Sequence, residues 1–289
     1  MINTIRCSGV PEHFNLPWKL MIEEGRLKEE GIDLDWIDNP SGTGSLCQEL
    51  KEGNIDIAIL LLEGAIKNIH EGLPAKIVST YVESPLIWGV HTGVNSSLTK
   101  ENLLDPSFAI SRPTSGSHLM AHVYARDNNV TITENSFDII NDLNGAIKSL
   151  KQNDNQLFLW EKYTTKPLVD TGVFNRIDVC PTPWPAFVVV VQKDFLEKNK
   201  ELVNHITSKV LEQAQVIKNK TDASELIASR YGLKQEDAQQ WLTEIQWAET
   251  VHNDIKSIEL ASDTLLELGV IEEKPIASNL IVDEITLSL

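Results

Sequence analysis

The feature that most constrains this chain is the alternation of short apolar runs with segments of helical period. Alternating strands and helices are typical of parallel sheets flanked by helices. Strands are predicted near 2–7, 32–37, 55–61, 76–82, 86–91, 107–111, 136–140, 156–160, 176–180 and 187–192. Helices are predicted between them at 17–29, 44–52, 63–71, 117–128 and 144–152. We therefore expect an α/β fold with a mixed, mostly parallel sheet.

The pattern becomes helical after residue 192. The segments 194–197 and 222–225 each have the form of a capping box, which opens a helix. Apolar residues then recur at helical spacing at Phe195, Leu202, Ile206, Val210, Ala214 and Ile217. Earlier in the chain, three glycines follow predicted helices where a left-handed residue would end them: Gly31, Gly53 and Gly72. We expect a helical last third and a loose tail after about residue 275.

Length and composition restrict the classes of function. A chain of 289 residues is long enough for two domains of ~100–150 residues each. A net charge of −17, without clustered Lys or Arg, argues against nucleic-acid binding. Cys7, Cys47 and Cys180 are far apart and lack CxxC spacing, which argues against a disulfide framework and a structural zinc site. No apolar run reaches the ~20 residues of a membrane span.

The first residues predict a location for the protein. A strand-like segment, Ile2–Cys7, stands at the start, without the basic, apolar and cleavage-site regions of a signal peptide. The expected location is the cytoplasm, or the periplasm if a leader has been removed.

The loop Gly9–Trp18 is the first candidate for ligand recognition, because ligands of open parallel sheets bind beyond the carboxyl ends of the strands. It carries Glu12, His13 and Phe14 between two prolines, and that stiffness favours a preorganised loop. The alternative is an ordinary surface loop without a binding role. Trp18 is expected in the core.

Two further loops place small hydroxyl residues at predicted helix starts. Ser41-Gly42-Thr43-Gly44-Ser45 follows the second strand, and Thr114-Ser115-Gly116-Ser117-His118 follows strand 107–111. A helix N-terminus stabilises an anion or a carbonyl oxygen, although simple N-capping is the alternative. Nucleotide binding is disfavoured, because no Lys follows Gly116 and the GxGxxG pattern is absent.

Two glutamates stand where predicted strands end. Glu63 follows Leu62, and Glu161 lies between Trp160 and Lys162. Either carboxylate could accept a hydrogen bond from a ligand amine. The alternatives are an interaction of Glu63 with the helix dipole and an ion pair of Glu161.

Motifs of catalysis are missing from the sequence. It has no GxSxG or HExxH motif and no local Cys–His signature. The spacing of His13, His118, Glu63 and Glu161 matches no known set of metal ligands. We therefore predict no catalytic set, no metal and no cofactor, and a binding protein is favoured over an enzyme.

Two extended stretches are predicted to cross between two lobes. One is 85–91, and the other is 181–191, which begins Pro181-Thr182-Pro183-Trp184-Pro185. Alternating prolines fix φ and keep the chain extended. A two-strand hinge would use such stretches; an edge strand after a Pro-rich loop is the alternative.

Several segments together carry a family resemblance: PEHFNLPW, EEGRLKEEGIDL, SGTGS, LKEGNIDIA, FAISR with SGSH, and PAFVVVV with DFLEKN. In this order they resemble the type 2 periplasmic binding proteins of the nitrate, sulfonate and taurine group. The resemblance covers roughly residues 1–215 and is more specific for the fold than for the ligand. Related cytosolic proteins include the fungal thiamine-pyrimidine synthases, whose CCCFG segment is absent here.

The resemblance implies two lobes, 1–92 with 188–289 and 93–187, joined by a hinge around a ligand cleft. The binding positions that it implies are Glu12, His13, Phe14, Ser41, Gly42, Thr43, Gly44, Glu63, Ser115, Gly116, Ser117, His118, Trp160, Glu161 and Trp184. Of these, Phe14, Trp160 or Trp184 could stack on a ligand ring.

The expected function is that of a solute-binding protein, a monomer that closes on a small polar molecule containing an amine, a sulfonate or a heterocycle. In an ABC importer its partner would be the permease. The first alternative is a cytosolic enzyme of cofactor or pyrimidine metabolism on the same fold, with His13 or His118 as acid or base. A ligand sensor docked to a partner is the second.

Overall fold

The computed structural model describes residues 4–282. Within that range the chain has eight β-strands: β1 Ile5–Gly9, β2 Leu34–Asp38, β3 Ile57–Leu61, β4 Ala75–Thr92, β5 Ser107–Ile110, β6 Phe137–Ile139, β7 Gln156–Glu161 and β8 Asn175–Gln192. The α-helices are α1 Leu16–Glu23, α2 Thr43–Glu52, α3 Leu62–His70, α4 Gly116–Asp127, α5 Leu143–Gln152, α6 Lys166–Asp170, α7 Lys193–Lys198, α8 Lys200–Lys218, α9 Ala223–Tyr231, α10 Gln235–Glu244, α11 Ile255–Glu267 and α12 Ala277–Leu280.

The chain divides into two compact units. Unit 1 contains the residues up to Pro85 and those from Pro183 onward, whereas unit 2 contains Leu86–Thr182. Both boundaries fall inside long strands, β4 and β8. The hinge, and the lobes 1–92 with 188–289 and 93–187, stay predictions.

Unit 1 is built on the strand order β2-β1-β3-β8. β1 runs parallel to both of its neighbours, with Ile5 opposite Leu34 on β2 and Cys7 opposite Ile57 on β3. β8 is antiparallel to β3. The paired parts of β3 and β8 are continuous apolar runs, as expected where a strand is covered on both faces.

Unit 2 has the strand order β4-β7-β5-β6. β5 runs parallel to β7 and to β6, while β4 is antiparallel to β7. Phe158 and Phe174 pack with Ala146 and Leu150 of α5 in the core of this unit. Each unit therefore mixes parallel and antiparallel pairing beside helices, and the predicted α/β fold class is confirmed.

The two long strands each replace a pair of predicted strands. The segments predicted at 76–82 and 86–91 form one strand, β4, and those at 176–180 and 187–192 form β8. Pro181, Pro183 and Pro185 do not interrupt β8. Since successive residues of a strand direct their N–H groups to opposite edges, prolines at alternate positions remove donors from one edge only.

The first helix is shorter than predicted. A helix was expected over 17–29, but α1 ends at Glu23, and a 3-10 turn follows at Lys28–Glu30. Gly25, with φ of 67°, lies between them. A residue in the left-handed region ends a helix.

The capping predictions after residue 192 need correction. α7 is capped by Gln192, whose side chain accepts a hydrogen bond from the N–H of Phe195, so that Asp194 lies inside the helix. Asp222 does stand at the N-cap of α9, but its carboxylate pairs with Lys220 and caps no N–H.

The C-terminal part of the described chain is also more ordered than predicted. A loose tail was expected after about 275, but α12 forms there and buries Leu280. The rest of the predicted tail, 283–289, and the start of the predicted strand 2–7 lie outside the described residues. In the range 4–282 no helix is long and apolar enough to cross a membrane.

Candidate functional site

The loops that follow β1, β2 and β3 leave unit 1 at one edge of its sheet. These three strands are parallel neighbours, with Gly9 opposite Asp38 at the ends of β1 and β2. The carboxyl ends of parallel strands lie at the same edge, which is where ligands bind in open α/β sheets. This edge carries the predicted residues Glu12, His13, Phe14, Ser41, Gly42, Thr43, Gly44 and Glu63.

The loop after β1 is anchored by aromatic side chains from distant parts of the chain. The carbonyl oxygen of Phe14 accepts hydrogen bonds from the hydroxyl of Tyr81 at 2.8 Å and from Nε1 of Trp247 at 3.1 Å. The ring of His13 packs against Trp241 with centroids 4.4 Å apart, and against Tyr231. The loop is thus held by Tyr81 of β4 and by three aromatic residues that follow it by more than 200 positions, Tyr231, Trp241 and Trp247.

Burial determines the protonation of His13. Its side chain is 2% exposed, and burial lowers its pKa to about 3. The imidazole is therefore neutral at physiological pH. Glu12, beside it in the loop, is half-buried. Burial raises the pKa of Tyr231, and the charge of Glu12 adds a smaller contribution in the same direction.

The loop after β2 starts α2 differently from the prediction. Gly42, with φ of 75°, occupies the N-cap position, so that no side chain caps the helix. The N–H of Ser41 donates to Oδ1 of Asn39 at 3.0 Å. Thr43 begins the helix, and Gly44 in its first turn is exposed.

Glu63 lies in the first turn of α3 and is buried, with 3% of its surface exposed. Oε2 accepts a hydrogen bond of 2.9 Å from Nε1 of Trp184. Oε1 is buried without a hydrogen-bond partner in the described part of the chain. Burial raises the pKa of Glu63 to about 7, although its own N–H and Trp184 act in the opposite direction. The structure thus brings together two predicted site residues that lie 121 positions apart.

In unit 2, the loops after β5 and β7 also share an edge. The two strands are parallel neighbours, with Ala109 opposite Phe158. The loop after β5 carries Ser115, Gly116, Ser117 and His118, and β7 ends with Trp160 and Glu161.

The serine loop before α4 is joined by its own hydroxyl groups. Oγ of Ser117 accepts the N–H of Ser111 at 2.9 Å and lies 3.1 Å from Oγ of Ser115. Ser115 is the N-cap: its Oγ donates to the carbonyl of Arg112 and accepts the N–H of His118. These bonds stabilise the loop and the helix start. The roles of Ser115, Gly116 and Ser117 in ligand binding stay predictions.

His118 has a histidine neighbour, His122, that was not predicted as part of a site. Its Nε2 lies 3.3 Å from Nε2 of His122, and its Nδ1 accepts the N–H of Thr114 at 3.0 Å. Because the two histidines are four residues apart on a predicted helix, their spacing was a signal for this contact.

Glu161 closes the turn that follows β7. Its Oε2 accepts the N–H groups of Tyr163 at 2.9 Å and Thr164 at 2.6 Å. Burial raises its pKa, against these hydrogen bonds and the positive charge of Arg176. Trp160 is half-buried and stacks on Phe158 with centroids 5.5 Å apart. The carboxylate therefore has a structural role in the turn, whether or not it also contacts a ligand.

A buried network supports that turn from inside unit 2. Nδ1 of His91 faces the carbonyl of Phe158 at 3.1 Å, so it carries the proton and donates. Nε2 then accepts from Thr165 at 3.0 Å and from Nε of Arg176 at 3.3 Å. Burial lowers the pKa of His91 to about 3. Neither His91 nor Arg176 was predicted as part of a site.

Comparison with known proteins identifies the fold and a matching family segment. Residues 88–180 match the family described as Ca3427-like periplasmic binding proteins. The CA3427 gene product of Candida albicans, described as defining a new family with the generic periplasmic binding protein fold, is 27% identical, with a TM-score of 0.89 over 97% of this chain and 96% of that one. No curated protein sequence matches the chain.

Two bacterial binding proteins are similar in structure but distant in sequence. The periplasmic aliphatic sulphonate binding protein SsuA from Escherichia coli is 13% identical, with a TM-score of 0.74 over 98% of this chain and 93% of that one. The periplasmic nitrate-binding protein NrtA from Synechocystis PCC 6803 is 14% identical, with a TM-score of 0.70 over 93% and 82%. The chain thus has the periplasmic binding protein fold, and its matched segment and its likeness to the Candida protein support the resemblance to the type 2 periplasmic-binding-protein-like family.

Proposed function

We propose that this protein binds a small polar molecule through the loops at the carboxyl ends of its parallel strands, without chemical conversion. The observation that carries the proposal is the position of the predicted loops. In each unit they follow parallel neighbouring strands and leave the sheet at the same edge. This is the place at which open α/β sheets bind their ligands.

The chemistry of these loops favours a ligand with both hydrogen-bond donors and acceptors. The buried carboxyl of Glu63 has one oxygen without a partner in the described chain and can accept from an amine or a ring N–H. The first turns of α2 and α4 direct N–H groups outward and favour an oxygen-rich or anionic group. An aminosulfonate, another zwitterion or an amino-substituted heterocycle has both.

The relatives support a role in solute uptake. The sulphonate- and nitrate-binding proteins share the fold, and a permease of an ABC importer would be the partner in such a role. The acid–base enzyme alternative is less favoured, because burial lowers the pKa of His13 to about 3 and that of His118 to about 4. Such groups are poor proton carriers near neutral pH.

A matched panel of small molecules tests the proposal. Ethanesulfonate, taurine and ethylamine differ in which charged ends they carry, and nitrate and 4-aminopyrimidine add a small anion and a heterocycle. We expect at least one compound to raise the melting temperature with saturation, because a ligand that binds only the folded state stabilises it. Identical melting curves with all five compounds at millimolar concentration would contradict the proposal.

A further inference from the structure

The loop before α4 contains a left-handed residue that is not glycine. Thr114 has φ of 62°, a conformation that a β-branched residue adopts only when its surroundings hold it. The N–H of Thr114 donates to Nδ1 of His118 at 3.0 Å, and the N–H of His118 donates to Oγ of Ser115 at 3.3 Å. Thus the imidazole of His118, in the first turn of α4, holds the loop in place.

The first of these bonds fixes the tautomer of His118. A ring nitrogen that accepts a hydrogen bond carries no proton, so the proton of neutral His118 lies on Nε2. That N–H faces Nε2 of His122 at 3.3 Å, which must accept it and therefore has its own proton on Nδ1. A metal shared by the two Nε2 atoms would need the lone pair of His118 Nε2, and its proton would move to Nδ1, where Thr114 donates. The geometry therefore favours a hydrogen bond over a metal.

We propose that His122 is a positioning residue for the loop Thr114–Ser117. By accepting the Nε2–H of His118, it keeps Nδ1 of His118 available to the N–H of Thr114, and so holds Thr114 left-handed and Ser115 at the N-cap. The value of this loop for ligand binding rests on the proposed function above. The positioning by His122 does not.

The surroundings keep His118 neutral over a wide pH range. Burial, and next the charge of His122, lower its pKa to about 4, and burial lowers the pKa of His122. From β6, the uncharged ring of Phe137 packs edge-on against His118 at 4.5 Å, and the carboxylate of Asp138 accepts from Gln156. Above about pH 5 the acceptor at Nδ1 persists. As the pH falls through 4, Nδ1 gains a proton and becomes a hydrogen-bond donor. It can then no longer accept from the N–H of Thr114, and this hydrogen bond is lost.

Nuclear magnetic resonance of the full chain tests this arrangement without a ligand. At pH 7 the ring ¹⁵N shifts of the wild type should show Nε2–H on His118 and Nδ1–H on His122. In His122→Leu we expect both tautomers of His118 and amide exchange of Thr114 about tenfold faster. His122→Gln, whose Oε1 can accept the same hydrogen bond, should restore both values.

A double variant separates positioning from general packing. His118→Asn keeps an acceptor near Nδ1 that does not depend on His122, so adding His122→Leu to it should leave Thr114 exchange unchanged. Nδ1–H on His118 in the wild type, or wild-type exchange in His122→Leu, would overturn the proposal. If His122→Leu does not fold, the tautomers of His118 and His122 in the wild type still test the proposal. Absence of ligand binding would contradict the proposed function, but it would not change the expected tautomers or the exchange rate of Thr114.

Discussion

Glu63 is a residue at which the folded chain is not optimised for stability. A buried polar atom without a hydrogen bond costs about 1–3 kcal/mol, and Oε1 of Glu63 is such an atom among the described residues. Burial also raises the pKa of this carboxyl to about 7. Perturbed titratable groups cluster at functional sites, and the strand-end position of Glu63 agrees with such a role.

Replacing Glu63 by Gln should stabilise the protein in a pH-dependent way. Because the pKa is about 7 in the folded chain and near 4.5 when unfolded, ionisation of Glu63 lowers the free energy of unfolding as the pH rises from 4.5 through 7. Gln cannot ionise and still accepts from Trp184. We expect the free energy of unfolding of Glu63→Gln to exceed that of the wild type by about 2–3 kcal/mol at pH 8. Near pH 4.5 the two values should be equal, and urea unfolding at both pH values measures them.

Glu201→Gln is the matched control, because Glu201 is an exposed glutamate in the first turn of α8. Its effect should stay within about 0.5 kcal/mol at both pH values. If Glu63→Gln differed from the wild type by the same free energy of unfolding at both pH values, or did not differ at pH 8, the burial of an ionised carboxylate would be contradicted.

The sequence predicted individual site residues better than their partners. Glu63 was identified because it follows an apolar strand, but its contact with Trp184 joins positions 121 residues apart. The packing of Tyr231 and Trp241 on His13 likewise comes from helices far along the chain. Periodicity and spacing report neighbours within one element, so contacts of this kind need the fold.

At the scale of elements, the start of α2 packs closely against α3. A Cβ on Gly64 would lie 2.5 Å from Cγ2 of Thr43, below any normal contact. This glycine allows the two helix starts, both part of the candidate site, to approach each other.

A compensating pair of substitutions tests whether this close contact limits the packing of the two helices. Gly64→Ala should lower the free energy of unfolding by about 1–2 kcal/mol through overpacking, despite the better helix propensity of Ala. Thr43→Ser removes Cγ2, so the double variant should recover most of the loss. Thermal unfolding of the single and double variants measures the coupling. Simple additivity of the two effects would show that the contact does not limit the packing.

Element types followed from sequence more readily than element ends. The alternation of apolar runs and helical segments predicted α2–α5 and most strand ends to within a few residues, although β4 and β8 were each predicted as two strands. The Pro-rich stretch 181–185 was predicted to be extended but to lie between two strands, yet β8 runs through it, because its prolines remove donors from one edge only. The end of α1 was missed because Glu24 and Arg26 continue a helical composition past Gly25.

For the whole molecule, the fold was predictable because strand and helix patterns agree along most of the chain. The match of residues 88–180 and the likeness to the Candida protein support the same family. Ligand identity was not predictable, because serine-rich helix starts and carboxylates suit several chemical groups. The net charge of −17 does not favour any one of these ligands.

The most direct test of the account is calorimetric titration of the five panel compounds into the wild type and into three variants. Gly44→Phe and Gly116→Phe each place a bulky side chain in the first turn of a candidate helix, α2 or α4, and Gln48→Phe is an exposed control one turn further along α2. We predict binding of at least one compound, an affinity at least about tenfold weaker in at least one of the glycine variants, and wild-type affinity in Gln48→Phe. No heat of binding from any compound, or unchanged affinity in both glycine variants, would contradict it.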